Sequence, residues 1–64
     1  MNTNDKYVVV RNLGRFGYGK PLVGFPSYLP AKEFFEQLNG KMPLLAEKGD
    51  SIMRSVDYAI LRKQ

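Results

Sequence analysis

The chain has 64 residues, of which 44% are hydrophobic and 25% are charged, and its formal net charge is +4. This composition is too apolar for a disordered chain, and the length predicts one small domain with a thin core. The chain contains no cysteine and no histidine, which excludes disulfides, thiolate metal sites and the commonest general base.

The first residues of the chain are polar and lack the apolar region of a secretory signal. No uncharged run approaches the roughly 18 residues that a membrane span needs. We therefore expect a cytoplasmic protein with no membrane segment. We also expect residues 1–5 to form a flexible N-terminal tail and residues 6–64 to form a single small α+β domain.

Residues 6–13 give the clearest strand signal, because three consecutive valines are flanked by tyrosine and leucine. Both faces of this strand are apolar, which predicts a central position in its sheet. Residues 14–19 contain three glycines and predict a turn. Residues 20–25 then predict a second strand, with Pro21 at its start and Gly24 marking a bulge, so the two strands form a hairpin.

Residues 30–39 have the periodicity of an amphipathic helix. Apolar residues fall at i, i+3, i+4 and i+7, and charged residues occupy the other face. Asn39 and Gly40 are a good helix stop. The apolar stripe that we expect to pack on the hairpin consists of Ala31, Phe34, Phe35 and Leu38.

The last third of the chain fits more than one template. Residues 42–48 predict one or two helical turns, and residues 51–62 fit either a helix or a strand. We favour a strand at 57–62, because a third strand beside the valine-rich strand completes the sheet. The predicted fold is α+β, a small three-stranded antiparallel sheet with one packed helix in the order ββαβ. The alternative is a β-hairpin with two helices.

The residues that could carry catalysis form no recognisable set. Serines have no histidine or cysteine beside them, and Glu33 and Glu36 lie on the solvent face of the predicted helix. Gly14, Gly19 and Lys20 have Walker A spacing, but Pro21 replaces the hydroxyl residue and a strand follows instead of a helix. The sequence therefore predicts no enzyme activity, no cofactor and no metal.

The positive charge lies unevenly along the chain. Residues 1–32 hold five cationic residues against Asp5, whereas residues 33–64 hold five of each sign. Residues 15–20 also interleave cations with aromatics, as single-strand nucleic-acid binders do. The segment resembles the first ribonucleoprotein motif of RNA-recognition and cold-shock domains, but Phe16 stands where that motif has glycine. No function is carried over from this resemblance.

The lead hypothesis is a small non-enzymatic binding protein that acts stoichiometrically on a larger protein with an acidic surface. Its size suggests an inhibitor or modulator of host machinery of the kind that phages and mobile elements encode. Aromatic anchors and cations are enriched at protein interfaces. The alternatives are a nucleic-acid-binding module that uses the same surface and a homo-oligomer formed through strand edges. The predicted partner-binding residues are Arg11, Arg15, Phe16, Tyr18 and Lys20.

Overall fold

A computed structural model describes residues 4–63 of the chain. Residues 1–3 of the predicted tail lie outside the described residues. The strands are β1 (Tyr7–Asn12), β2 (Tyr18–Phe25), β3 (Leu44–Leu45), β4 (Ser51–Ser55) and β5 (Tyr58–Arg62), and the helix is α1 (Tyr28–Asn39). The strands form one antiparallel sheet in the order β2-β1-β5-β4-β3. The helix packs on one face of this sheet and contacts β1, β2 and β5.

The central position predicted for the valine-rich strand is confirmed. β1 lies between β2 and β5, and its valines are buried on both faces of the sheet. Val9 faces α1 and packs with Phe35 and Ile60 in a helix-side core. Val8 and Val10 point to the opposite face, which we call the open face. A strand that is buried on both faces needs apolar side chains on both, which explains the continuous apolar run in the sequence.

β2 is an edge strand, and it is irregular. Its pairing with β1 shifts register between Val9 and Val10 and again between Val10 and Asn12. Pro21 lies between these two irregularities, where an edge strand tolerates the missing N–H. The predicted bulge at Gly24 is wrong, because Gly24 pairs with Val8 in regular register. The strand also begins two residues earlier than predicted, at Tyr18.

The predicted helix is confirmed and begins two residues earlier than expected, at Tyr28. Phe35 is fully buried against the sheet, and the Phe34 ring packs on that of Phe25 with centroids 5.7 Å apart. Leu38 is the exposed end of the apolar stripe. Gly40 ends the helix with a φ of 60° and donates its N–H to the carbonyl of Glu36 at 3.0 Å.

The second half of the chain departs most from the predicted fold. The strand predicted at 57–62 is present as β5, and it pairs with β1 as expected. The predicted helical turns at 42–48 are wrong, and so is the alternative with a second helix, because β3 and β4 extend the sheet from three strands to five. Ser55 explains the tight connection from β4 to β5. Its buried Oγ accepts the N–H of Tyr58 at 3.2 Å and donates to the Tyr58 carbonyl at 3.4 Å.

The open face of the sheet has a small core of its own. Val8, Val10 and Ala59 are buried there, and Tyr18 and Leu61 pack against them. No helix covers this face among residues 4–63, and side chains of the sheet itself are among the groups that pack on these residues. The half-buried Tyr18 is one of them. The open face therefore carries structural side chains close to the predicted binding residues.

Candidate functional site

The turn between β1 and β2 is a defined structure. Residues Gly14–Phe16 form one turn of 3-10 helix, closed by the N–H of Gly17 donating to the Gly14 carbonyl at 3.0 Å. The N–H of Leu13 donates to the Gly17 carbonyl at 2.8 Å, which closes the base of the turn. Gly17 has a φ of 87° and a ψ of −144°, a backbone conformation that residues with a Cβ rarely adopt. The sequence therefore fixes the turn through its glycines.

Asn12 connects this turn to the turn between β4 and β5. Its Oδ1 accepts the N–H of Gly14 at 3.0 Å, and its Nδ2 donates to the carbonyl of Ser55 at 2.8 Å. The backbone N–H of Asn12 donates to the Asp57 carbonyl at 2.8 Å. Because one of these bonds goes to the first turn and two go to the second, the two turns are held side by side at one end of the sheet.

The turn presents a large aromatic side chain to solvent. Phe16 is 77% exposed, and the guanidinium carbon of Arg15 lies 5.2 Å from the centroid of its ring. A cation at this distance from a ring face is attracted to it. Leu13, at the start of the turn, is also exposed. Arg15 and Phe16 therefore form one exposed surface that is both cationic and apolar. Hydrogen bonds fix the backbone of the turn that carries them.

Other exposed apolar side chains lie at the same end of the sheet. Val56 is in the turn between β4 and β5, and Leu44 begins β3 opposite Ser55. Both are exposed, as are the apolar side chains of the first turn. We call this group the sheet-end patch. Its members are Leu13, Phe16, Leu44 and Val56.

The structure divides the five predicted binding residues. Arg15 and Phe16 lie on the turn, and Lys20 is exposed on the edge strand β2. Arg11 is exposed on β1 opposite Tyr58 and lies two residues after Val9, which places it on the helix side of the sheet. Tyr18 is half-buried on the open face. The predicted set thus spans both faces, and its role in binding stays a prediction.

A cleft of about 200 Å³ opens beside the turn. Two of its lining residues are cationic, Lys48 and Arg54, and none is acidic. We call it the basic cleft. Its lining consists of Asn12, Gly14, Gly17, Tyr18, Lys48, Gly49 and Arg54.

Arg54 is held in place from one side. Its Nη1 donates to the Ala46 carbonyl at 2.9 Å, while its buried Nε has no hydrogen-bond partner among residues 4–63. The loop that carries Lys48 is fixed by Ser51, whose Oγ accepts the Lys48 N–H at 2.8 Å and donates to the Lys48 carbonyl at 2.7 Å. The cations of the basic cleft therefore stand on an ordered backbone.

Sequence reasoning missed Lys48 and Arg54. They lie in the half of the chain whose charges balance, and more than 30 residues separate each of them from the turn in sequence. The register of the sheet places Arg54, because Arg54 pairs with Ala59, and Ala59 pairs with Val10 of the central strand, and the loop that precedes β4 carries Lys48. No local pattern encodes such a long-range pairing, so the cleft became visible only with the fold.

A second cleft, of about 280 Å³, lies near the other end of β5 and has a different charge. It is lined by Glu47, Asp50 and Arg62 together with Gly49, Ser51 and Ile52. Its two carboxylates offset its one guanidinium, which leaves no excess positive charge for an anion. This contrast makes the basic cleft the better candidate for an anionic group.

Residues 4–63 contain no group of three or more histidine, cysteine or acidic side chains that could hold a metal ion. Within the same residues, no helix is long and apolar enough to cross a membrane. Comparison with protein-family models, with curated proteins and with solved structures finds no match to the chain. The candidate site therefore rests on its own geometry.

Proposed function

We propose that the protein is a non-enzymatic binding module that docks its sheet-end patch on an acidic surface of a larger protein. The observation that carries this proposal is the 77% exposure of Phe16 on a turn that backbone and side-chain hydrogen bonds hold in place. An ordered, exposed aromatic loses little conformational freedom on binding and serves well as an anchor. In a phage or mobile element, such a module would inhibit or modulate host machinery.

The surrounding charge supports an acidic partner. The chain carries +4, and Arg11, Arg15 and Lys20 are exposed on or near the turn. Cations at the rim of an apolar patch steer an acidic partner toward it and raise the association rate. The apolar side chains then supply the contact area, so each half of the proposed surface has its own role. The expected cytoplasmic location stays a prediction.

Nucleic acid is the second candidate partner, and the same cations would neutralise phosphates. A stacking platform needs several exposed rings. Tyr18 packs against the open-face core, so Phe16 is the exposed ring of this turn. Its neighbours in the sheet-end patch are aliphatic, which suits a protein interface better. The geometry therefore favours the protein partner.

The test is capture of a partner from nuclease-treated lysate of the source cells. The wild-type chain should retain a specific protein, and Phe16→Ala should lose it. Leu29→Ala is the matched control, because Leu29 is 66% exposed at the start of α1, far from the patch. Equal capture by all three chains would contradict the proposal. A partner that disappears on nuclease treatment would point to nucleic acid instead.

A further inference from the structure

The basic cleft has the charge of a receptor for one anionic side chain. Its lining includes Lys48 and Arg54 and no carboxylate. A volume of about 200 Å³ is smaller than the pockets that usually hold cofactors and drug-sized ligands, which start at about 300 Å³. The ring of Tyr18 gives the cleft an apolar wall. This combination suits an aliphatic stem that ends in a negative group.

Arg54 supplies the guanidinium of the basic cleft. One side of its guanidinium is used, because Nη1 already donates to the Ala46 carbonyl. Nε and Nη2 form one of the edges through which a guanidinium binds a carboxylate in a bidentate manner. Nε is buried and has no acceptor among residues 4–63, and an unpaired buried donor is costly. A carboxylate in the cleft beside Arg54 would pair with the charge of the guanidinium.

The cleft is continuous with the surface proposed for docking. Gly14 and Gly17, which line it, belong to the turn that presents Phe16. A partner that covers Phe16 would therefore place its neighbouring residues over the mouth of the cleft. We propose that the basic cleft receives a glutamate or aspartate side chain of the partner protein, with its carboxylate on Arg54 and Lys48. This inference rests on the proposed function and names the chemistry that its partner must offer.

A model compound tests the cleft without the partner. We would titrate the full-length chain with N-acetyl-glutamate N-methylamide at constant ionic strength and follow backbone amide signals by NMR. Saturable shifts should appear at Tyr18, Lys48 and Gly49. The isosteric glutamine compound should cause none, since it lacks the charge. Shifts of equal size with both compounds, or none with either at tens of millimolar, would overturn the proposal.

Variants of the chain test whether Arg54 binds the glutamate compound. Arg54→Gln should weaken binding of the glutamate compound by at least about tenfold. Lys48→Gln, a change on an exposed loop side chain, should weaken it less while leaving the fold intact. Arg62→Gln is the control, because Arg62 lines the mixed-charge cleft instead. Unchanged affinity in both Arg54→Gln and Lys48→Gln would contradict the assignment.

Inorganic phosphate, added in place of the glutamate compound, tests the specificity for carboxylates. We expect weaker binding, because phosphate has no aliphatic stem to pack on the apolar wall that Tyr18 contributes. Phosphate binding as tight as that of the glutamate compound would overturn the carboxylate assignment. Failure of the cleft would leave partner capture through Phe16 intact, whereas failure of the proposed function would abolish the dependence on Phe16 without affecting the titration. The two experiments therefore separate the two claims.

Discussion

The Nδ2 of Asn12 donates a hydrogen bond of 2.8 Å to the backbone carbonyl of Ser55, 43 residues away in sequence. This bond joins the turn that carries Phe16 to the turn that follows β4, and the Oδ1 of the same side chain fixes Gly14 at 3.0 Å. One amide side chain thus orients both halves of the sheet-end patch. The order of the candidate surface depends on it.

Asn12→Ala should therefore destabilise the protein and loosen the turn. The change removes two hydrogen bonds, one of them part-buried, which should cost about 1–3 kcal/mol of unfolding free energy. Urea denaturation measures this loss. Asn12→Asp is the matched variant, because it keeps an acceptor for the Gly14 N–H but replaces the donor to the Ser55 carbonyl with a carboxylate oxygen, so it should also be destabilised. An Asn12→Ala protein with the same free energy of unfolding as the wild type would show that the turn does not depend on the amide.

Gly17→Ala should distort the turn even though open space surrounds the position. An added Cβ meets nothing within 4 Å, so the cost comes from the backbone conformation alone. At a φ of 87° we expect a loss of about 1–3 kcal/mol of unfolding free energy. Gly19→Ala is the control, because Gly19 has no positive φ and its Cβ would make only ordinary contacts. Equal losses in the two variants would contradict the conformational explanation.

Tyr18 should behave as a structural residue. Its ring packs against the open-face core of Val8, Val10 and Ala59. Tyr18→Ala should therefore cost about 1–2 kcal/mol through lost apolar burial, whereas Tyr18→Phe keeps the ring and should be nearly neutral. Thermal unfolding of both variants checks this. A Tyr18→Ala protein as stable as the wild type would show that the open face needs no cover from this ring.

The helix-side core should depend most on Phe35. This side chain is fully buried, and truncating a buried phenylalanine costs about 3–5 kcal/mol, a large share of the stability of so small a domain. Phe35→Ala should therefore leave little folded protein by circular dichroism. Phe34→Ala should cost less, because Phe34 is half-buried against Phe25. A larger loss of stability in Phe34→Ala than in Phe35→Ala would contradict the packing described.

The sequence predicted the elements whose signals are local. The valine-rich strand, the hairpin and the helix each have a pattern within 20 consecutive residues, and all three are present. β3 and β4 were missed because their stability comes from pairing with distant strands. The segment at 51–55 in particular fits a helix equally well until Arg54 pairs with Ala59. Pairing with neighbouring strands, and not a local sequence preference, decides that this segment is a strand.

The candidate site shows the same division. Arg15 and Phe16 were predicted from composition alone, and they lie exposed on the turn between β1 and β2. Tyr18 was expected at the exposed hairpin tip, but the strand begins with it and turns its ring onto the open face. Lys48 and Arg54 join the site only through the order of the strands. Exposure and long-range register are properties of the fold, and neither could be read from the chain.

The most direct test of the central claim is the affinity of the captured partner for three forms of the chain, measured by calorimetry. The wild type and Leu29→Ala should bind equally, and Phe16→Ala should bind at least about tenfold more weakly, as expected for loss of a central aromatic anchor. All three chains should show the same unfolding midpoint, since both substituted side chains are exposed. Equal affinity of Phe16→Ala and the wild type would contradict the assignment of the sheet-end patch as the binding surface.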